Sequence, residues 1–450
     1  MTATSSQRST AAACEAPPAA LSLSVRLAAA MAARNLHYGW VTAGATFLVM
    51  LATAGAMGAP GVIIEPLQKE FGWSAADISV AFAVRLALFG LMAPFAAAFI
   101  NRFGVRPVVT LAVVIITLGI LASMAMTQVW QLVLLWGVIV GFGTGMVALV
   151  LGATIATRWF VERRGLVVGL LSAANATGQL VFLPLLAKLT QDHGWRAALA
   201  FVVAMLLAAG LVALATLRDR PSDVGLAPYG ARAVEPPPRQ TVSLTAMMAS
   251  PLRAPYEARA SRTFWVLLAT FFVCGLSTNG LIQTHWIALC GDYGVTPVSA
   301  AGALAAIGAF DFVGTILSGW LSDRYDNRWL LFTYYGLRGL SLIALPFTAF
   351  TVVGLSAFAV FYGLDWFATV PPTVRLTAER FGAEKANLTF GWIFAAHMLG
   401  AATAAFGAGL SRTELSTYLP ALYISGVACV IAAALALTIA RPRRAALATA

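Results

Sequence analysis

The chain has 450 residues, of which 60% are hydrophobic and only 10% are charged. Soluble domains carry roughly 25% charged residues, so this composition excludes a water-soluble globule. The net charge of +11 comes from short basic clusters between apolar stretches, which excludes a nucleic-acid-binding face. The four cysteines show no metal-ligand spacing, so the sequence predicts no metal, no disulfide framework and no cofactor.

Apolar stretches of about 20 residues recur along the chain, and each is long enough to cross a hydrocarbon core of about 30 Å. Because lipid offers no partner to a free backbone amide, these stretches are predicted to be helices. The sequence therefore predicts an all-α polytopic membrane protein with twelve transmembrane helices. The predicted spans are residues 38–64, 78–100, 108–126, 131–156, 166–186, 197–217, 264–289, 298–321, 329–350, 352–374, 388–410 and 418–440.

The one long hydrophilic stretch, residues 218–262, divides the spans into two sets of six. Of the 29 Lys and Arg residues, 23 fall on the side of the membrane that holds both termini and 4 fall on the other side. Basic loops stay in the cytoplasm, so both termini are predicted to be cytoplasmic in a bacterial-type inner membrane. The predicted segments are a tail (1–37), an N-terminal bundle (38–217), a cytoplasmic linker (218–262), a C-terminal bundle (263–440) and a second tail (441–450).

The two halves repeat each other at an offset of 222 residues. The turn at 101–106, after the second span, matches the turn at 323–328, after the eighth span. At the same offset Gly178 matches Gly400. Two separate segments that share one offset indicate a duplicated six-helix unit. Parallel halves of this kind enclose a substrate path near the middle of the membrane.

The twelve spans, the central loop and the duplicated turn resemble the major facilitator superfamily over residues 38–440. In that family the turn reads Gly-x-x-x-Asp-Arg-x-Gly-x-Arg and contributes to locking one conformational state. Asn101 is neutral where the family has an aspartate. The motif positions here are Asn101, Arg102 and Arg106 in the first half and Gly319, Asp323, Arg324 and Arg328 in the second half.

Two further segments resemble signatures of the monocarboxylate-porter, or oxalate–formate-antiporter-like, branch of that superfamily. They are residues 159–166, at the start of the fifth helix, and residues 38–40, before the first span. The branch's first-helix lysine falls near Gly61 here, and its eighth-helix Asp-x-x-x-Arg reads Asp311-x-x-x-Thr315. The resemblance therefore implies the transporter class, and the substrate is not transferred from the branch.

Arg85 lies near the middle of the second span, where an ionised side chain costs at least ~2.5–3.5 kcal/mol without a partner or a wet cavity. A guanidinium matches a carboxylate with two parallel hydrogen bonds, and no acidic residue lies in any span of the first half. Arg85 is therefore a candidate anchor for an anionic substrate. The structural alternative is a set of hydrogen bonds to helix carbonyls.

His397, near mid-depth of the eleventh span, has an imidazole suited to reversible protonation. It is a candidate for binding the anion or carrying a proton, or else a packing histidine with a hydrogen bond. Asn175 holds the equivalent position in the first half. Asn279 and Gln283 form a polar stripe with His285 in the seventh span, which either lines the path or bonds neighbouring helices.

Three more charged residues lie at similar depth in the second half. Asp311 matches the branch's eighth-helix aspartate and is a candidate for proton coupling, or else a structural carboxylate. The ninth helix is peripheral in the resembled fold, so Arg338 is predicted to form a structural ion pair with Asp365 of the tenth helix. The Pro371-Pro372 pair predicts a break near the inner end of that helix, as a hinge or as a kink.

The leading hypothesis is a secondary transporter that moves a small organic anion, a carboxylate, by alternating access with a coupled proton. One alternative is an efflux pump for hydrophobic or cationic compounds, against which the mid-membrane Arg85 argues. Another is a non-transporting membrane sensor, for which the linker and tails are too short to hold a signalling domain. No phosphate-binding loop or nucleophile–base set is present, so an ATP-driven pump or an enzyme is not expected. The expected partners are a small organic anion, protons and the lipid bilayer. The protein is expected to be a monomer. The sequence does not distinguish symport from exchange.

Overall fold

The computed structural model of the chain describes residues 23–147, 149–231, 244–348 and 350–440. The predicted tail 441–450, most of the tail 1–37 and linker residues 232–243 lie outside this part. Within it, twelve long helices confirm the fold class predicted from the sequence. They are α1 (Gly39–Phe71), α2 (Ala75–Phe103), α3 (Val105–Ser123), α4 (Val129–Trp159), α5 (Arg164–His193), α6 (Trp195–Thr216), α7 (Arg262–Gly291), α8 (Pro297–Ser322), α9 (Asn327–Thr348), α10 (Val352–Phe381), α11 (Ala383–Leu415) and α12 (Leu419–Ala436).

Eleven of these helices have both the length and the hydropathy needed to cross a membrane, counted over the described residues. The twelfth, α5, is a 30-residue helix at the position of the predicted fifth span. Helices suit the bilayer because each helix satisfies the hydrogen-bonding groups of its own backbone. The side of the bundle at which α1 begins and α12 ends is called the terminal side below.

The first helix of each half departs from regular α-helical hydrogen bonding at an equivalent place. In α1 the segments Gly39–Gly58 and Pro60–Phe71 meet at Ala59. In α7 the stretch Leu276–Gln283 forms π-helical turns. At the offset of 222 residues this stretch corresponds to residues 54–61, which contain the α1 junction. π-Helical turns often occur at functional sites, so the α7 stretch is a candidate for such a site.

The two halves meet along α2 and α11, which pack against each other over most of their length. Gly409 faces Ser79 near the side opposite the terminal side, Gly90 faces Met398 further along, and Gly391 packs on Pro94 near the terminal side. Small residues at a crossing allow close approach of two helices in a membrane. A second contact between the halves joins α5 and α8.

Gly178 and Gly400 occupy matching places in the two halves. Gly178 of α5 packs on Ala54 of α1, and Gly400 of α11 packs on the backbone of Phe272 in α7. A side chain at either glycine would overlap atoms of the neighbouring helix. These glycines therefore set the distance between the first and fifth helices of each half.

Replacing Gly400 by alanine is expected to destabilise the protein by about 1–3 kcal/mol, because the added methyl group overlaps the Phe272 carbonyl. The measurement is the Tm of the purified protein in detergent. Gly407→Ala is the matched control, since a Cβ there has no neighbour within 4 Å. The control should keep or raise the Tm, because alanine favours a helix by ~1 kcal/mol over glycine. Equal Tm values for both variants would contradict the tight crossing.

The first part of the linker is docked on the terminal side of the N-terminal half. The backbone N–H of Tyr229 donates to Trp159 O (2.8 Å), and Val161 N–H donates to Tyr229 O (2.9 Å). The Tyr229 ring packs edge-on against Trp40, with 6.0 Å between ring centroids, and His37 Nε2 lies 2.9 Å from Ala227 O. Residues 38–40 and residues 159–163 of the longer signature segment 159–166 thus converge on Tyr229.

Candidate functional site

Arg85 is buried, with 2% of its surface exposed, and its side chain extends to the junction in α1. Its Nη1 donates to Met57 O (3.2 Å) and lies 3.5 Å from Ala56 O. Pro60 lacks an N–H, so the carbonyl of Ala56, four residues earlier, has no helical donor. The proline therefore frees a carbonyl in the region that the guanidinium reaches.

A row of glycines on α4 fixes the backbone of α2 behind Arg85. Gly137, Gly141 and Gly145 are spaced four residues apart, and a Cβ on Gly141 would lie 2.9 Å from the Cα of Arg85. The π-helical stretch Val133–Val140 precedes Gly141 in this helix. The α4 backbone therefore packs directly against the α2 backbone at Arg85.

Arg85 has no ion-pair partner in the described part of the chain. Its Nε is buried and makes no hydrogen bond there. Two carbonyl contacts use only Nη1, whereas a guanidinium presents five N–H donors. The carbonyl hydrogen bonds that the sequence offered as the structural alternative are present, and Nε remains without a hydrogen bond among the described residues.

The polar stripe of α7 forms a continuous network with His397 of α11. Asn279 Nδ2 donates to Gln283 Oε1, and His397 Nε2 lies 3.0 Å from Asn279 Oδ1. An amide oxygen only accepts, so His397 carries its proton on Nε2 in this contact. Its Nδ1 is buried and has no hydrogen-bond partner among the described residues. The rings of Phe271 and Phe394 pack on the imidazole, with centroids 4.8 Å and 5.8 Å away.

Gly61 connects the region of Arg85 with this network. A Cβ on Gly61 would lie 3.1 Å from Gln283 O, so α1 and α7 touch at this point. The resemblance to the monocarboxylate-porter branch implies a lysine near this position. A long side chain here would push α1 and α7 apart, so the glycine permits the close contact between them.

His285 bonds a neighbouring helix and, within the described part of the chain, does not join the network of Asn279, Gln283 and His397. His285 Nε2 donates to Ala405 O (2.8 Å), which joins α7 to α11 and corresponds to the helix-bonding alternative. The side chain of Asn175 lies outside the described residues. The predicted equivalence of Asn175 and His397 therefore remains a prediction.

The remaining predicted charges surround an interruption in α10. The helix ends at Asp365 and resumes at Val370, so the backbone between them lacks regular helical bonds. The interruption precedes Pro371-Pro372, which occupy the first turn of the resumed helix instead of its break. Prolines suit a first turn because its N–H groups have no helical partner.

Side chains from α8 and α9 satisfy the backbone of this interruption. Asp311 Oδ1 accepts from Phe367 N (3.0 Å), and Ser318 Oγ donates to Ala368 O (2.5 Å). Arg338 donates from Nη2 to Trp366 O (3.0 Å) and to Asp365 O. Its Nε also donates to Asp365 Oδ2 (2.7 Å), so the predicted partners of the ion pair are in contact.

The loop motif contacts the fourth helix of each half. Arg158 Nη2 donates to Asn101 Oδ1 (2.7 Å), and Arg375 forms an ion pair with Asp323 in the equivalent place. The neutral Asn101 thus accepts a hydrogen bond where its counterpart has a charge contact. Arg328 pairs with Asp326 (2.6 Å) and reaches Ile439 O, while Arg324 lies over the Trp320 ring. Arg106 N donates to Asp219 Oδ1 (3.1 Å), Arg102 is exposed, and Gly319 has open space beside it.

Several residues of these clusters were not predicted from the sequence. Arg158 and Arg375 were counted only as basic loop residues. Cys274 accepts from Arg338 Nη1 (2.9 Å) and contacts Thr369 Oγ1 (3.3 Å), whereas cysteine spacing bears only on metal binding and disulfides. No periodic pattern singles out these residues, because their partners come from other helices.

These features define a multi-pass membrane protein in which two helical halves meet over a buried polar centre, the architecture of a secondary transporter. Residues 45–405 match the family model of the Major Facilitator Superfamily, and the chain belongs to this superfamily. It is accordingly a transporter and not an enzyme.

Curated relatives agree with the branch resemblance. The chain is 26% identical over 360 residues to the uncharacterized MFS-type transporter YcxA of Bacillus subtilis (strain 168), covering 77% of this chain and 81% of that protein. It is 27% identical over 393 residues to monocarboxylate transporter 13 of Bos taurus, covering 86% of each. It is also 27% identical over 406 residues to monocarboxylate transporter 11 of Homo sapiens, covering 86% of this chain and 80% of that protein.

Solved structures share the fold. A D-xylose–proton symporter aligns with a TM-score of 0.68 at 15% identity, covering 90% of this chain and 98% of that one. A bacterial homologue of the human lysosomal transporter Spinster, inward-facing and occupied, aligns with a TM-score of 0.69 at 17% identity, covering 89% and 96%. At these identities the likeness extends to the fold alone.

Proposed function

We propose that this carrier moves a small organic anion, a carboxylate, in symport with a proton across a bacterial-type inner membrane, with both termini in the cytoplasm. The observation that carries the proposal is the buried Arg85, which has no carboxylate partner in the described chain and an unused Nε. A carboxylate bound at that guanidinium would satisfy both its charge and its donors. The names of the monocarboxylate relatives support the same substrate class.

The balance of buried charges supports coupling to a proton. Arg338 and Asp365 neutralise each other, which leaves Arg85 in one half and Asp311 in the other. Asp311 accepts hydrogen bonds from Thr315 and from a backbone amide, but no cation pairs with it in the described residues. One anion at Arg85 and one proton at Asp311 would compensate both charges together, and an uncompensated charge in the bilayer interior is costly.

His397, Asn279 and Gln283 complete the proposed binding region. The orphan Nδ1 of His397 accepts a hydrogen bond or a proton, and the amide of Gln283 still has donors to offer. The contact between Gly61 and Gln283 connects this network to the helix that holds the Arg85 carbonyl contacts. The loop-motif residues would stabilise one conformational state through the contacts of Asn101 with Arg158 and of Asp323 with Arg375.

The orientation rests on the distribution of basic residues. Because 23 of the 29 Lys and Arg residues lie on the side that holds both termini, that side is proposed to face the cytoplasm. The segments on either side of the linker at 218–262 would then rock against each other around the centre.

Proteoliposomes that contain the purified protein should take up carboxylates faster when the outside is acidic. The measurement is the initial uptake of labelled monocarboxylates, dicarboxylates and aromatic acids, with and without an inward proton gradient. Protein-free liposomes correct for diffusion of the neutral acids. Transport of lipophilic cations without transport of any carboxylate would contradict the proposal and favour the efflux alternative.

A further inference from the structure

The buried triad of Asp311, Arg338 and Asp365 contains two carboxylates and only one guanidinium. All three side chains are buried, with exposed fractions of 6%, 1% and 6%. If both carboxylates were ionised, the triad would carry one excess negative charge inside the membrane. Because such a charge is costly without compensation, the triad requires one additional positive charge.

One oxygen of the triad has no hydrogen-bond donor. Asp365 Oδ2 accepts from Arg338 Nε, whereas Asp365 Oδ1 is buried and has no partner among the described residues. Asp311 Oδ1, in contrast, accepts from both Phe367 N and Thr315 Oγ1. A proton on Asp365 Oδ1 would leave the contact between Oδ2 and Arg338 in place. The site can therefore take up a proton while the hydrogen bond from Arg338 Nε to Asp365 Oδ2 stays in place.

Both carboxylates belong to or bind the same short stretch of backbone, residues 365–367. Asp311 holds Phe367 N, Asp365 lies two residues earlier, and Arg338 bonds the carbonyls of 365 and 366. The other titratable groups that face the triad are Cys274 of α7, Tyr334 and Tyr335 of α9, Tyr362 of α10 and Cys429 of α12, and His397 of α11 lies against Cys274. None of these adds a permanent positive charge, so a mobile cation is the remaining source of compensation.

We propose that Asp365 and Asp311 form one shared proton-binding site, with Arg338 as its fixed counter-charge. This inference rests on the proposed proton coupling and deepens it, because it assigns Asp365 a function beyond the ion pair. Removing either carboxylate leaves one carboxylate and one guanidinium, a neutral pair that needs no proton. Asp311→Asn and Asp365→Asn should then have the same effect.

The test is infrared difference spectroscopy of the reconstituted protein between acidic and neutral pH, without substrate. The wild type should show a carbonyl band from a protonated carboxyl group, and both Asn variants should lose it. Uptake by both variants should also lose its dependence on outside pH. An Asp365→Asn protein that keeps the wild-type band would overturn the proposal and leave Asp365 as an ion-pair partner only.

Asp365→Glu covers the case in which Asp365→Asn does not fold. The glutamate keeps the ion pair, and its carbonyl band should shift if residue 365 shares the proton. An unchanged band would assign the proton to Asp311 alone and contradict the shared site. Because the spectroscopy uses no substrate, failure of carboxylate uptake with a confirmed band would overturn only the proposed substrate.

Discussion

Replacing Arg85 by alanine is expected to lower the initial rate of carboxylate uptake on the order of 100-fold, since truncating one partner of a buried charge pair costs roughly 2–5 kcal/mol. The guanidinium is the cation without an ion pair at the centre of the N-terminal half, within the described residues. The alanine variant also removes an uncompensated buried charge, so the fold should persist. The measurement is uptake into proteoliposomes at matched protein density.

Two variants make this prediction specific. Arg85→Lys keeps the charge but not the planar fork of donors, and it should retain partial activity with a higher KM. Arg253→Ala removes an exposed arginine on the linker helix Leu244–Ala258 and should leave uptake unchanged. Full activity of a correctly folded Arg85→Ala protein would rule out the anion anchor.

Replacing Asp311 by asparagine is expected to remove the stimulation of uptake by external acid. Asparagine keeps an oxygen that accepts from Phe367 N and Thr315 Oγ1, so the α10 interruption should stay intact. Without the titrating carboxylate the anion would cross alone, and transport would become electrogenic. A potential of 100 mV acts on one elementary charge with about 2.3 kcal/mol.

Potassium diffusion potentials provide the measurement for Asp311→Asn. An inside-positive potential should accelerate uptake by the variant and leave the wild type unaffected, because the wild type carries a proton with each anion. Thr315→Val is the control, as it removes one donor to Asp311 while keeping the carboxylate. If the variant retained the wild-type dependence on pH and ignored the potential, Asp311 would not be a proton site.

The helices were predictable because the bilayer imposes one simple requirement on sequence. Every predicted span falls on one of the twelve helices, and the main difference is at helix ends, such as the extension of α1 to Phe71. That extension contains Glu65 and Lys69, which form an exposed ion pair at i, i+4. The hydropathy pattern predicts too early an end for this helix, because charged residues begin before the helix ends.

The candidate site was only partly predictable. The positions of Arg85, Asp311 and Asp365 followed from counting residues along apolar spans. Their partners did not, because the carbonyl that Pro60 frees and the backbone that Asp311 holds become visible only when the helices are packed. Contacts between helices depend on rotation about each helix axis, which a single sequence leaves open.

The docked linker segment shortens the connection between the two halves. Residues from Leu217 to Ala231 follow α6 but are fastened to the start of α1 and the turn after α4, through Tyr229 and His37. This segment therefore belongs mechanically to the N-terminal half. The connection between the two halves therefore starts at Ala231 and not at the end of α6, about fifteen residues earlier. The part of the linker that can extend while the halves rock is shorter by those residues.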